Sequence, residues 1–206
     1  MAIEQFGLYL VITNPVTSYE ACAEAAVKAN LRYIQLRMKK APRAAILEHA
    51  RNLRSITRGS NTCFIVNDDP LLAAETEADG VHLGQDDMSL PEARKKFPEL
   101  KIFGLSTHNP DQAKRAVEVA PDYCGVGPVY VTPTKEIPDP ALGPDLAGSI
   151  IQSAPFTTVA IGGINETNIP DVRRAGAINF CVVRPVCLSP VPFDAIRRLN
   201  EQWFTV

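Results

Sequence analysis

No apolar run in the 206 residues approaches the 18 or so needed to cross a bilayer, so no transmembrane helix is expected. An excess of either charge is also missing. Lys plus Arg number 21 and Asp plus Glu 23, for a formal charge of -2 and a pI near 5.9. No global field would hold nucleic acid or an anionic lipid surface, so an anionic ligand must be gripped by a local cluster. Metal-binding cysteine patterns are absent: Cys22, Cys63, Cys124, Cys181 and Cys187 are odd in number and widely spaced, with no C-x-x-C and no nearby Cys/His pair suited to zinc. They read as reduced packing residues. The positive n-region of a signal peptide is lacking, because Glu4 precedes the apolar stretch 6–12 and the first basic residue is Lys28. A cytoplasmic chain is therefore expected, with neither nucleic acid nor membrane as a partner. Low-complexity tracts, sequence repeats and interdomain linkers are missing as well, and the length suits one domain over residues 1–206.

What is present is a regular alternation. Eight short apolar runs of strand length and β-branched or aromatic content lie at 8–12, 33–36, 63–66, 80–83, 101–105, 123–126, 158–161 and 180–183. Segments of helical spacing fall between and after them, at 18–29, 43–57, 71–77, 90–96, 110–119, 146–153, 169–175 and 193–203. Thr17-x-x-Glu20 has the form of a capping box, and Asn109 and Asn168 are suited to N-caps. Parallel strands need crossover helices, and the right-handed crossover rule leaves few arrangements for eight such units. The expected fold is a single-domain α/β TIM (β/α)8 barrel, with a doubly wound open sheet as the alternative.

Strand parity then says where chemistry can sit, because alternate residues face the barrel interior. Ile34 and Leu36 share one face and Gln35 and Arg37 the other, so the polar pair should look inward. Gly104/Ser106, Gly125/Gly127 and Ala160/Gly162 are expected to put small residues inside, leaving a ligand cavity at the C-terminal ends. Asp68 follows the third run and Asp87 the fourth, within reach of one hard cation. Magnesium suits such a pair, because it takes one or two carboxylates and is completed by waters and phosphate oxygens. Arg37, Lys39 and Lys40 follow the second run and could meet that phosphate.

Five prolines, Pro128, Pro133, Pro138, Pro140 and Pro144, crowd the connection after the sixth run, which reads as a lid offering Thr132, Thr134 and Lys135 to phosphate oxygens. Gly162-Gly163 follows the seventh run, where barrels bind phosphate through backbone N–H groups. By parity with Phe180 and Val182, Arg184 is expected on the interior face beside that turn, with an ion pair to Asp194 as the competing arrangement. His82 is expected to be a structural, inward-packed imidazole, and His108 has no evident partner in the sequence.

Ordered motifs along essentially the whole chain resemble the thiamine phosphate synthase family. They are Leu8-Tyr9-Leu10-Val11, Gln35-Leu36-Arg37-Met38-Lys39, Phe64-Ile65-Val66-Asn67-Asp68, and Asp79-Gly80-Val81-His82-Leu83-Gly84-Gln85-Asp86-Asp87. Gly104-Leu105-Ser106-Thr107-His108, Gly125-Val126-Gly127-Pro128 through Thr132-Pro133-Thr134-Lys135, and Ala160-Ile161-Gly162-Gly163-Ile164 continue the series. The resemblance implies a transferase that joins 4-amino-5-hydroxymethyl-2-methylpyrimidine diphosphate to 4-methyl-5-(2-phosphoethyl)thiazole, releasing pyrophosphate. By the same resemblance Asp68 and Asp87 would hold magnesium, and Arg37, Lys39, Asn67 and Lys135 would meet the diphosphate. Gln35 and Ser106 would lie against the aminopyrimidine, and Thr132, Thr134 and Gly163 would meet the thiazole phosphate. Lys135, Ser106 and Arg37 form the implied catalytic set. The chain departs from the family at Thr13-Asn14, where Asp usually follows, and at Arg184, where many members carry a small hydroxyl residue. A thiazole tautomerase-like paralogue and a noncatalytic thiamine-phosphate-binding protein are the alternatives, and assembly into a homo-oligomer stays open.

Overall fold

The computed structural model describes residues 3–134 and 139–205. All eight apolar runs form strands: β1 (Gly7–Ile12), β2 (Tyr33–Leu36), β3 (Cys63–Asn67), β4 (Gly80–Leu83), β5 (Ile102–Thr107), β6 (Tyr123–Val126), β7 (Thr157–Ile161) and β8 (Asn179–Val182). Each pairs in parallel with the next, and β8 pairs with β1 through Gly7 opposite Asn179. That last ladder closes the barrel and removes the open-sheet alternative. The crossovers carry α1 (Tyr19–Lys28), α2 (Arg43–Thr57), α3 (Pro70–Glu75), α4 (Leu90–Lys96), α5 (Pro110–Val119), α6 (Gly143–Ser153) and α7 (Ile169–Arg174). A one-turn α8 (Arg184–Cys187) and the long α9 (Pro192–Thr205) follow β8. Among the described residues no helix is long and apolar enough to cross a membrane.

Helix starts follow local chemistry. Asp69, Ser89 and Asn109 each accept the amide of the residue three positions on, with proline in the first turn to fix φ. The Thr17 capping box is not formed. Ser18 is the N-cap, its Oγ accepting from Ala21 N at 3.0 Å, while Glu20 reaches His49 and Asn52 on α2. A cap oxygen at Ser18 starts the helix one residue later, which frees Glu20 for the neighbouring helix.

Two apolar shells flank the strands. Leu8, Leu10, Ile12, Ile34, Leu36, Phe64 and Val81 are buried against the helices, and the Phe180 ring stacks on Trp203 of α9 at 4.3 Å. The inner shell is Tyr9, Val11, Tyr33, Ile65, Tyr123, Val159 and Cys181. Tyr9, Tyr33 and Tyr123 thus share the barrel interior with the branched side chains Val11, Ile65 and Val159. The parity expected for β7 and β8 is reversed by pairing register. Gly125 lies beside Val159, so Val159 and Ile161 face inward and Ala160 faces the helices. Ala160 in turn pairs with Phe180, so Phe180 and Val182 also face the helices. All five cysteines are free thiols, as expected.

Candidate active site

A cavity of about 480 Å³ opens at the C-terminal ends of the strands, a size suited to a small-molecule ligand. It is lined by residues from all eight strands and the connections that follow them, including Gln35, Arg37, Asn67, Ser106, Thr132, Thr134, Gly163 and Arg184. Asp68, Asp87 and Lys39 do not line the cavity itself; Asp68 pairs with Lys39 and lies near Asp87 and Arg37, beside it. Lys135 lies outside the described residues.

The β2–β4 side of the rim carries the charge. Asp68 sits just past β3 with φ +66°, its N–H donating to the His82 carbonyl of β4 at 2.8 Å, which turns the carboxylate toward Lys39 in an ion pair. Asp87 Oδ2 accepts from Gly84 N at 2.7 Å. Burial, and after it the neighbouring Asp68 carboxylate, raises the Asp87 carboxyl above the usual range against the pull of Gly84 N–H and Lys39. Two carboxylates from adjacent strands are therefore close enough to repel, a condition that a divalent cation relieves. Among the described residues no cluster of three or more His, Cys, Asp or Glu is placed for a metal; the Asp68 and Asp87 carboxylates are oxygen donors of the kind hard divalent cations take. Burial lowers the Arg37 guanidinium pKa, and Asp68 opposes that shift.

The β6–β8 side is built of backbone. Gly162 (φ +102°) and Gly163 (φ +66°) form a tight turn in left-handed conformations. A Cβ on Gly163 would approach the Val131 carbonyl oxygen to 2.8 Å. Asn168 braces this turn: its Nδ2 donates to Gly163 O at 3.0 Å and its Oδ1 accepts from Asn165 N at 2.8 Å, so it does not cap α7 by its side chain. The Pro-rich connection is pinned above the turn by Val129 N to Ile161 O (2.8 Å) and Tyr130 N to Gly162 O (2.9 Å). These bonds bring Thr132 and Thr134 over the cavity, with Thr132 Oγ1 donating to Thr134 Oγ1 at 3.1 Å. Arg184 also lines this side, exposed and with no ion pair to Asp194. It arrives there because β8 ends at Val182 and the chain turns into α8; the inward strand parity expected for it does not hold. His108 has partners after all: Nδ1 contacts Gly127 O at 2.6 Å and Nε2 lies 3.6 Å from Asp139.

Between the two sides the floor is polar and continuous. Gln35 Nε2 donates to Tyr9 Oη at 3.0 Å, Tyr9 Oη is 2.8 Å from Tyr123 Oη, and Tyr123 Oη is 3.0 Å from His82 Nδ1. His82 Nε2 is 2.9 Å from Ser106 Oγ. The inward placement of His82 matches expectation. Tyr9 and Tyr123 were not singled out by sequence reasoning, although each shares strand parity with an interior neighbour, Val11 and Gly125.

A model of the thiamine monophosphate synthase family matches residues 8–186. Thiamine-phosphate synthase of Methanospirillum hungatei is 41% identical over 198 residues, covering 95% of this chain and 96% of that protein. The Synechocystis thiamine-phosphate synthase is 38% identical over 200 residues; it is longer, and this chain spans 58% of its length. The structure of thiamine phosphate pyrophosphorylase from Pyrococcus furiosus superposes with a TM-score of 0.87 at 30% identity, covering 97% of this chain and 96% of that one. On sequence, fold and extent of coverage, the chain belongs to the thiamine monophosphate synthase family, and its relatives carry the name of that biosynthetic transferase.

Proposed function

We propose that this chain, as one barrel unit over residues 1–206, couples 4-amino-5-hydroxymethyl-2-methylpyrimidine diphosphate to 4-methyl-5-(2-phosphoethyl)thiazole, giving thiamine phosphate and pyrophosphate. The observation that supports the reading is a cavity with Arg37 and Asn67 on one side and the Gly162-Gly163 turn, Thr132, Thr134 and Arg184 on the other, across a hydrogen-bonding floor. On one side Arg37, Lys39 and Asn67 meet the diphosphate, joined by Lys135. On the other, the Gly162-Gly163 turn, Thr132, Thr134 and Arg184 meet the thiazole phosphate. The pyrimidine lies between them against Gln35 and Ser106.

Bond breaking is the demanding step. The methylene C–O bond cleaves with its electron pair leaving on pyrophosphate, the electron-rich aminopyrimidine carries the methylene cation, and the thiazole nitrogen lone pair forms the new C–N bond. No proton transfer and no protein nucleophile is required. Magnesium bound by Asp68 and Asp87 would neutralise charge growing on the leaving group. Arg37, Lys39 and Lys135 supply the remaining positive charge, aimed where negative charge develops. The Pro-rich connection keeps water from the cation before the thiazole adds.

Replacing Asp68 or Asp87 by Asn tests the metal role. Each change should lower turnover by orders of magnitude and weaken binding of magnesium pyrophosphate in calorimetry, while the melting transition persists. Full activity of both variants in the presence of a chelator would end the proposal. A cytoplasmic location goes with this chemistry and its reduced thiols.

A further inference from the structure

The hydroxyls across the cavity floor can be counted hydrogen by hydrogen. Burial raises the phenol pKa of both Tyr9 and Tyr123 well above the ordinary value, so each keeps one hydrogen and can give it once. At one end of the line the Gln35 amide nitrogen is a donor only, and it already gives a hydrogen to Tyr9 Oη. Tyr9 Oη also lies 2.8 Å from Tyr123 Oη, where either oxygen can donate, and a hydrogen given by Tyr9 to Tyr123 continues the direction that Gln35 starts. In that direction Tyr123 gives its hydrogen to His82 Nδ1, 3.0 Å away, a contact whose sense is set by the imidazole tautomer. A neutral imidazole that accepts at Nδ1 carries its hydrogen on Nε2, and that hydrogen goes to Ser106 Oγ. With that tautomer Ser106 Oγ accepts from His82, and its own hydrogen is left for the cavity that Ser106 lines.

We propose that Tyr9, Tyr123 and His82 are positioning residues, a polarised line that the Gln35 amide orients and that fixes Ser106 as a hydrogen-bond donor to the pyrimidine. The same orientation exposes the Gln35 amide oxygen as an acceptor. The floor then presents an acceptor from β2 and a donor from β5. An aminopyrimidine offers the converse set, amino N–H groups and ring-nitrogen lone pairs. The opposite amide orientation would reverse every bond in the line, make His82 the Nδ1–H tautomer and turn the Ser106 hydrogen away from the ligand. Gly104 of β5 makes room for the line, since a Cβ there would fall 2.4 Å from Tyr123 Oη and 2.6 Å from His82 Nδ1. This inference rests on the pyrimidine subsite proposed above, but its first test does not.

That test is the tautomer of His82 in the substrate-free full chain, read at neutral pH from long-range proton–nitrogen correlation spectra of protein labelled with nitrogen-15 histidine. The chain has 3 histidines, and the spectrum of His82→Gln assigns the one that disappears. The line predicts hydrogen on Nε2 and none on Nδ1; an Nδ1–H tautomer, or a doubly protonated ring, overturns it whatever the enzyme's activity. Tyr123→Phe should release the tautomer and raise the KM for the pyrimidine diphosphate about tenfold, the scale of one lost hydrogen bond, leaving the thiazole phosphate KM unchanged. A fixed Nε2–H tautomer and an unchanged pyrimidine KM in a folded Tyr123→Phe protein would also overturn it. His82→Gln keeps one acceptor and one donor and should retain more pyrimidine affinity than His82→Leu, whereas equal losses would refute the directional role. Absence of turnover in the unmodified chain would instead count against the proposed reaction and leave the tautomer result standing.

Discussion

Gly104→Ala puts the interior packing to a quantitative test. The added methyl would lie 2.3 Å from Tyr123 Cζ, 2.4 Å from its hydroxyl and 2.6 Å from His82 Nδ1, all well inside van der Waals contact. Neither ring can yield cheaply, because Tyr123 is held by Tyr9 at 2.8 Å and His82 by Ser106 at 2.9 Å. Overpacking of this kind costs about 1–3 kcal/mol. Breaking the Tyr123–His82 bond strands a buried polar atom for about 1–3 kcal/mol more. In a domain of this size each kcal/mol lowers the melting temperature by roughly 2–4 °C, so the variant should melt about 4–24 °C below the parent. Gly125→Ala is the matched control, since its Cβ would meet His82 Cε1 at 3.6 Å, an ordinary contact. Thermal unfolding followed by circular dichroism compares the two. A Gly104→Ala protein that melts with the parent, or a Gly125→Ala protein that melts as low as Gly104→Ala, would refute the reasoning.

Arg184→Ser should raise the KM for the thiazole phosphate about tenfold, the low end for a charged hydrogen bond because the guanidinium is exposed, and leave the pyrimidine KM nearly unchanged. Equal effects on both substrates would remove Arg184 from the phosphate site. Lys135→Ala should cut kcat by about 100-fold or more if its charge meets the departing pyrophosphate, whereas a pure KM effect would assign it to ground-state binding. Ser18→Ala should cost about 0.5–2 kcal/mol in denaturant unfolding, with Thr17→Ala nearly neutral; the reverse order would restore the Thr17 cap.

The barrel was legible because strand length and helical spacing alternate without interruption, and the sequence pattern placed Gln35, Arg37, Ser106 and the Gly162-Gly163 turn at one rim. Parity failed where register mattered. Nothing in the run 157–161 says that Val159 aligns with Gly125, and that single pairing decides which face of β7 and then of β8 looks inward. Arg184 still reached the cavity, through a helical turn that four residues of sequence do not announce. The tyrosine–histidine line was hidden for a different reason. Tyr9, His82 and Tyr123 are separated by up to 114 residues along the chain, and aromatic residues inside strands are ordinarily packing. Their hydroxyl and imidazole contacts emerge only once the barrel closes.

The central claim is tested most directly by incubating the purified full chain with the aminopyrimidine diphosphate, the thiazole phosphate and magnesium, and quantifying thiamine phosphate and pyrophosphate together. The account predicts equal amounts of both products, formed only when both substrates and magnesium are present. Binding of either substrate without turnover, or pyrophosphate released with no thiamine phosphate, would contradict it.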